Sequence, residues 1–225
     1  MVRIVVMAAG LATRMGQDKL VLPWKDTTVL GYVLQTVLAA ITLQEQCSSA
    51  VAALPVAVEI CVVARHPMEY YLTEERILMF NLYSGVWIQV PSPRPLAETI
   101  RAGLQDLNTE IQGIGFLPGD QVGITASRLA DCLQQVLRNH PDFLVPIAGE
   151  KAVSPVFFHR RYVLELLELR GEQGGREVLY RYPERWRKYP VEDGFDQDVD
   201  TLEQYNALRV QNSKGESSGW KTNSS

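Results

Sequence analysis

The sequence predicts an α/β fold built on a mostly parallel sheet. Short apolar segments, typical of strands buried on both faces, recur along the chain at 2–7, 56–64, 86–90, 111–117 and 143–147. Segments whose apolar residues have helical spacing lie between them, at 28–46, 67–80, 96–107 and from 125 onward. Strands that alternate with helices in this way indicate parallel strands joined by crossover helices.

The composition is that of one globular domain. The chain has 225 residues, of which 46% are hydrophobic and 21% charged, so it can bury a full core without a metal or disulfide. We expect residues 1–209 to form a single domain. Residues 210–225 are polar and small, and we expect them to be a disordered tail.

Charge and cysteine content argue against several classes of function. The net charge is -4 and the basic residues are scattered, apart from a run at 181–188 that we interpret as a solvated face, so no nucleic-acid partner is expected. The apolar stretch at 50–64 contains Pro55 and Glu59, which argues against a membrane span. The three cysteines lack a C-x-x-C spacing and predict free thiols. We therefore expect a cytoplasmic protein.

The first predicted strand leads into a cationic loop that contains two glycines. The loop carries Arg14 and Lys19 beside Gly10 and Gly16. Such a loop can direct several backbone N–H groups toward one anion, which predicts a polyphosphate site. The spacing excludes a Walker loop, because five residues separate the glycines, and it excludes the dinucleotide fingerprint, because Ala12 replaces the second glycine.

The later elements have local signals of their own. Thr28 and Thr125 are predicted to be N-caps, and Pro67 is expected in the first turn of a helix. The prolines at 91, 93 and 95 end the strand at 86–90 and delay the next helix until residue 96.

Acidic residues follow the predicted strand at 111–117 and recur near the C-terminus. In an open α/β sheet, ligands bind beyond the carboxyl ends of strands, which places Asp120 at the same edge as the glycine loop. Asp198 and Asp200 face the same way in an extended chain, so either or both could serve one metal site. A turn-forming aspartate and an Asp-rich surface loop are the structural alternatives.

These motifs together resemble the MobA-like nucleotidyltransferases. The family signature has the form L-A-A-G-x-S-x-R-M-G-x-x-K-L-L-L-P, and residues 7–23 read MAAGLATRMGQDKLVLP. Residues 117–121 read LPGDQ and 198–201 read DVDT, similar to the family's L-P-G-D-Q-P and D-I-D-T. The resemblance implies a Rossmann-like three-layer sandwich of the nucleotide-diphospho-sugar transferase type, with a mostly parallel, mixed sheet.

The resemblance also implies site residues. Arg14, Lys19 and Asp120 are the implied catalytic residues, and Asp120 with Asp198 and Asp200 is the implied Mg²⁺ site. Residues 97–104, AETIRAGL, are similar to a family segment near the nucleotide base. The implied nucleotide-binding residues are Ala8, Ala9, Gly10, Leu11, Arg14, Gly16, Lys19, Thr99 and Gly103.

The second substrate is implied to bind to two further segments. Residues 149–158, GEKAVSPVFF, are similar to the family's G-x-x-G-H-P-V-L-F, and 170–176, RGEQGGR, to S-G-D-x-G-x-R. The implied acceptor-binding residues are Ser154, Pro155, Gly174 and Arg176.

The implied reaction joins a nucleoside monophosphate to a phosphate-bearing acceptor and releases pyrophosphate. The A-A-G opening resembles molybdenum cofactor cytidylyltransferases and accessory proteins of molybdenum hydroxylases, which points to CTP, to molybdopterin or the molybdenum cofactor, and to a hydroxylase partner. A sugar-1-phosphate nucleotidyltransferase is an alternative enzyme. A non-catalytic carrier is another alternative, supported by departures from the family pattern at Val153, Ser154, Glu172, Leu202 and Gln204.

Overall fold

The computed structural model describes residues 1–10, 18–47, 57–90 and 94–217, the side chains of Cys47 and of 210–217 excepted. Its strands are β1 (Val2–Ala8), β2 (Pro23–Trp24), β3 (Thr27–Thr28), β4 (Val58–Ala64), β5 (Val86–Gln89), β6 (Gly113–Pro118), β7 (Phe143–Ala148), β8 (Lys151–Ala152), β9 (Val156–His159) and β10 (Trp186–Val191). Its α-helices are α1 (Val29–Cys47), α2 (Glu74–Leu82), α3 (Leu96–Gly103), α4 (Ala126–Asn139), α5 (Val163–Leu167), α6 (Gly175–Leu179) and α7 (Leu202–Ser217).

An eight-stranded mixed sheet forms the centre of the fold. Its order is β10-β7-β9-β6-β1-β4-β5, and β8 adds to β7. β1 pairs in parallel with β4 and β6, β4 with β5, and β7 with β10. β9 runs antiparallel to both β6 and β7. The predicted α/β fold with a mostly parallel sheet is confirmed.

Side-chain alternation along β1 creates the two helical layers. Ile4 and Val6 point into a core that contains the buried residues of α1 and α4. Val5 points into a second core, on the other face, with residues of α3, α5 and α6. Because successive side chains of a strand alternate between faces, one strand supports both layers.

The helix predicted over 67–80 is wrong in its first half. A 3-10 turn spans Met68–Tyr70, and α2 begins only at Glu74. Tyr71 and Leu72 lie between these helices and are buried in the core, which interrupts the helical path. α3 also ends earlier than predicted, at Gly103, where the Arg3 guanidinium donates to the carbonyls of Gly103, Gln105 and Asp106.

The predicted N-caps have different outcomes. The Thr28 hydroxyl oxygen accepts a hydrogen bond from the Gly31 amide at 3.0 Å, as an N-cap does. Thr125 occupies the N-cap position of α4 without a cap hydrogen bond, because its hydroxyl donates to Glu192 at 3.4 Å.

Two other regions can be compared with the sequence interpretation. The basic run, which was expected to be a solvated face, overlaps the edge strand β10, where Arg187 and Lys188 are exposed. α7 extends beyond residue 209 to Ser217, and residues 210–217 contain no proline that would end the helix. Residues 218–225 lie outside the described part. Within that part, no helix is both long and apolar enough to cross a membrane.

Candidate functional site

Three parallel strands, β4, β1 and β6, end at one edge of the sheet and deliver polar groups there. Gly10 follows β1, Arg65 follows β4, and Asp120 follows β6. The amide of Gly119 donates to the carbonyl of Met7 at 3.0 Å, which fixes the loop after β6 against β1. Ligands of open α/β sheets bind at such an edge.

Asp120, Asp198 and Asp200 form an acidic cluster at this edge. One carboxylate oxygen from each lies within 4.8 Å of those from the other two. Backbone hydrogen bonds assemble the cluster: the Val199 amide donates to the Asp120 carbonyl at 3.2 Å. Val199 points into the core, so its neighbours on both sides point the opposite way, toward Asp120.

The loop that carries Asp198 packs unusually closely against the loop after Asp120. The Gly123 amide donates to the Gln197 carbonyl at 2.9 Å. A Cβ atom at Gly123 would lie 1.9 Å from the carbonyl oxygen of Gly194, which no side chain could tolerate. Glycine is therefore required at this position for the two acidic loops to meet.

Gln121 connects the acidic cluster to the rest of the site. Its side chain is 1% exposed, and its Nε2 donates to the carbonyls of Ser154 at 2.8 Å and Phe195 at 3.0 Å. One buried amide thus ties the loop of Asp120 to the segment before β9 and to the loop of Asp198.

Lys19 lies among the acidic residues. Its ammonium forms an ion pair with Asp120 and a second one with Asp200 at 3.2 Å. Burial lowers the pKa of Lys19, but the two carboxylates outweigh burial, so its pKa lies above the ordinary 10.5. Asp18 positions this lysine by accepting a hydrogen bond from the Leu20 amide at 3.1 Å, as the N-cap of the 3-10 turn Lys19–Val21.

The acidic cluster has a surplus of negative charge. Burial, together with the charges of Asp200 and Asp120, raises the pKa of Asp198 above its ordinary 3.8. A set of hard oxygen donors with unneutralised charge is what Mg²⁺ or Mn²⁺ binds. The residues present therefore fit a divalent cation.

Two cavities adjoin at this edge. The smaller, of about 150 Å³, is bounded by Met7, Ala8, Gly10, Asp18, Lys19, Leu20, Arg65 and Asp120. The larger, of about 570 Å³, shares Met7 and Gly10 with it and extends toward β9 and α6. A cavity of this size suits a whole small-molecule ligand.

The larger cavity combines apolar walls with charged groups. Leu96, Phe116 and Phe158 supply apolar wall, and the cationic side chains of Arg94 and Arg176 also line the cavity. Thr99, Ser154, Gly174, Glu172 and Glu177 also line it. Residues predicted for the nucleotide and for the acceptor therefore meet in one cavity.

The structure places most of the predicted site residues that it describes at this edge. Ala8, Gly10, Lys19 and Asp120 line the smaller cavity, and Ala9 is fully buried behind it. Pro155 is buried and joined to Ser154 by a cis peptide bond. Leu11, Arg14 and Gly16 lie outside the described residues.

Gly103 is not brought to the site. It closes α3 beside β1, where a Cβ would meet the Val5 side chain at 2.3 Å, so its role is close helix–strand packing. Thr99 lines the larger cavity, and its hydroxyl donates to the Pro95 carbonyl at 3.5 Å.

Arg65, Arg94 and Gln121 are site residues that the sequence interpretation missed. Arg65 carried a usable signal, because it directly follows an apolar strand and so belongs at the same edge as Asp120. The buried hydrogen bonds of Gln121 had no such signal.

Comparisons with known proteins assign the chain to a family and a fold. The sequence profile of the MobA-like NTP transferase domain matches residues 4–186. The search of curated proteins found no significant match.

Solved structures share the fold over nearly the whole chain. Rv0371c from Mycobacterium tuberculosis superposes with a TM-score of 0.67 at 21% identity, covering 92% of this chain and 97% of its own. Rv0371c has also been solved in complex with manganese, with a TM-score of 0.66 at 21% identity and the same coverage.

Two further relatives are named as transferases. A nucleotidyl transferase from Methanothermobacter thermautotrophicus has a TM-score of 0.65 at 18% identity, covering 96% of this chain and 99% of its own. A cytidylyltransferase from Leptospira borgpetersenii has a TM-score of 0.58 at 17% identity, covering 95% and 86%. With the domain profile matching 183 residues, most of the chain, this protein belongs to the MobA-like NTP transferase family.

Proposed function

We propose that the protein is a Mg²⁺-dependent nucleotidyltransferase that joins CMP, from CTP, to a phosphate-bearing acceptor and releases pyrophosphate. The observation that carries the proposal is the meeting of Lys19 with Asp120, Asp198 and Asp200 at the strand edge where the glycine loop begins. A lysine and a cluster of carboxylates at this edge suit a metal-bound triphosphate, the donor substrate of nucleotidyl transfer.

The reaction requires no protein nucleophile. A phosphate oxygen of the acceptor attacks the α-phosphorus of the triphosphate in line, and the bond from that phosphorus to the departing pyrophosphate breaks. Lys19 donates to the α-phosphate and stabilises the charge that accumulates there. The backbone N–H groups around Gly10, together with Arg14 from the sequence signature, bind the remaining phosphates.

Asp120, Asp198 and Asp200 are the residues proposed to hold Mg²⁺. When bound, the cation would neutralise phosphate charge and orient the triphosphate. The acidic cluster fits such a cation because all of its donors are hard oxygens and Lys19 leaves part of their charge unbalanced. The manganese complex of Rv0371c supports a divalent metal in this family.

The larger cavity is the proposed site for the base and the acceptor. The A-A-G opening and the cytidylyltransferase relative from Leptospira support CTP as the donor. We propose molybdopterin or the molybdenum cofactor as acceptor, with a molybdenum hydroxylase as the recipient of the product. The apolar walls at Phe116 and Phe158 suit a heterocycle, and Arg176 is available for its phosphate.

Pyrophosphate release tests the proposal. The purified protein would be incubated with Mg²⁺, each nucleoside triphosphate in turn, and either molybdopterin or a series of sugar 1-phosphates. We expect release with CTP and molybdopterin, and release that is slower by about 100-fold or more with the Asp120→Asn variant. Pyrophosphate release only with a sugar 1-phosphate would show that the acceptor is a sugar phosphate and that molybdopterin is not the acceptor. Nucleotide binding without release from any combination would establish the carrier alternative and refute the enzyme.

A further inference from the structure

We propose that Arg65 binds the phosphates of the nucleotide, as a cation additional to those of the loop signature. This inference rests on the proposed function, because it assumes that the smaller cavity receives a polyphosphate. Arg65 belongs to none of the motifs that identify the family in this chain.

The sheet register places Arg65 at the same edge as Gly10, where the glycine loop begins. β4 pairs in parallel with β1, and Ala64 is the direct partner of Ala8. The residues that follow these two therefore leave neighbouring strands at the same level. Arg65 and Gly10 line the same cavity of about 150 Å³, together with Lys19. A cavity of this size suits a few phosphate groups better than a nucleobase with its ribose.

The hydrogen bonding of Arg65 is incomplete in the described part of the chain. Its side chain is 17% exposed, and its Nη2 forms an ion pair with Asp18 at 3.0 Å. Its Nε is buried and has no hydrogen-bond partner among the described residues. A buried N–H without an acceptor is unfavourable, so the described residues alone do not satisfy this guanidinium.

Asp18 holds Arg65 over the cavity. The Asp18 carboxylate also accepts hydrogen bonds from the Leu20 amide at 3.1 Å and the Tyr71 hydroxyl at 3.2 Å, so it is fixed on two sides. The guanidinium retains further N–H donors in the plane of its fork, a geometry that matches phosphate oxygens. The Asp18–Arg65 pair thus presents a pre-oriented donor.

A purely structural role for Arg65 makes a different prediction. If Arg65 only neutralises Asp18, then Arg65→Gln harms the site by leaving a buried carboxylate uncompensated, and adding Asp18→Asn restores it. If Arg65 binds phosphate, the doubly substituted protein stays defective, although the amide oxygen that Asp18→Asn introduces can still accept from the Leu20 amide.

The experiment measures the affinity of Mg²⁺-bound CTP and of Mg²⁺-bound tripolyphosphate by calorimetry, for the wild type, Asp18→Asn, and Asp18→Asn combined with Arg65→Gln. We expect the combined variant to bind both probes about tenfold or more weakly than Asp18→Asn alone, since hydrogen bonds to charged groups are the stronger class. Thermal unfolding of each protein checks that the fold is kept.

A second Arg–Asp pair provides the matched control. Arg76 pairs with Asp26 at 2.7 Å, is 21% exposed, and lies on α2, away from the smaller cavity. Arg76→Gln combined with Asp26→Asn should leave both affinities unchanged. If Asp18→Asn binds both probes equally well with and without Arg65→Gln, the proposed role of Arg65 is wrong, while the proposed function of the protein still stands. If the wild type itself binds neither probe, the polyphosphate site fails, and the proposed function fails with it.

Discussion

The smaller and the larger cavity meet at Gly10, yet they are built by different means. The smaller cavity contains two ion pairs, Lys19 with Asp120 and Arg65 with Asp18. Asp120 and Arg65 follow strands, whereas Asp18 and Lys19 belong to a 3-10 turn. The larger cavity is mainly apolar wall, with cations from segments distant in sequence, such as Arg94 and Arg176.

Under the proposed function, the smaller cavity binds the triphosphate of the donor and the larger cavity binds the acceptor, so the two substrates meet walls of different kinds. We expect charge placement in the smaller cavity to tolerate little change, because its cations, Lys19 and Arg65, are each paired with a specific carboxylate. The walls of the larger cavity act through shape, and many side chains can provide a given shape. Under the proposed function, the structure thus constrains the donor substrate more strongly than the acceptor.

Substitution of Asp120 should have the largest effect, and the quantity that changes should be kcat. Asp120→Asn removes a proposed metal ligand and the partner of Lys19, and we expect kcat to fall by about 100-fold or more. Steady-state pyrophosphate release measures it. Asp196→Asn is the control, because Asp196 lies in the same loop as Asp198 and pairs with Lys151 outside the cluster. Equal kcat values for the two variants would remove Asp120 from the metal site.

Gln121→Leu should affect both cavities together. It leaves the carbonyls of Ser154 and Phe195 without their donor, so we expect the acceptor KM to rise and the Mn²⁺ affinity to fall, each by about tenfold. Kinetics and metal titration measure the two effects.

The exposed Gln105 offers a control, since Gln105→Leu should change neither quantity. A change in only one of them after Gln121→Leu would show that Gln121 does not couple the two halves of the site.

Arg176→Ala should affect only the larger cavity. Arg176 lines that cavity and donates to the Ala152 carbonyl at 3.3 Å, and we expect the acceptor KM to rise by about fivefold with little change in the CTP KM. Arg181→Ala serves as a control, because Arg181 is exposed and pairs with Glu165. An equal rise in both KM values would contradict the division between the cavities.

The smallest expected effect is a pH dependence of stability in the metal-free protein. The pKa of Asp198 in the folded state is raised above 3.8, so its ionised form destabilises the fold at neutral pH. That penalty disappears as the pH falls through the folded-state pKa toward 3.8.

Asp198→Asn lacks the penalty at every pH. We therefore expect it to be more stable than the wild type near pH 7 by less than about 1 kcal/mol, because the site is partly solvated, and equally stable below pH 3.8. Urea unfolding in EDTA measures the difference. A difference that does not change with pH would contradict the assignment.

The meeting of the three aspartates at one edge of the sheet could be predicted from the sequence for physical reasons. An apolar run that ends in a polar residue marks the end of a strand. Because the carboxyl ends of parallel strands lie at one edge of the sheet, Asp120 was expected near the loop that begins at Gly10. Because side chains alternate along an extended chain, Asp198 and Asp200 both point away from the core into which Val199 points.

The remaining features depend on contacts between distant segments. β9 inserts antiparallel between β6 and β7, which no local pattern revealed. The Thr125 hydroxyl bonds to Glu192, 67 positions away, and therefore does not cap its helix. Gly103, for which the family resemblance implied nucleotide binding, packs against Val5. Long-range partners of this kind are not encoded in local spacing.

The position of Lys19 between two carboxylates makes it an internal counter-ion. A divalent cation and this ammonium compete for Asp120 and Asp200, so a triphosphate that draws Lys19 away would raise the affinity of the cluster for metal. By thermodynamic reciprocity, metal would raise the affinity for triphosphate by the same factor. Mn²⁺ titrations with and without CTP would show this cooperativity, and equal affinities in the two titrations would exclude it. Metal and nucleotide would then enter as a unit, and neither would load the site well alone.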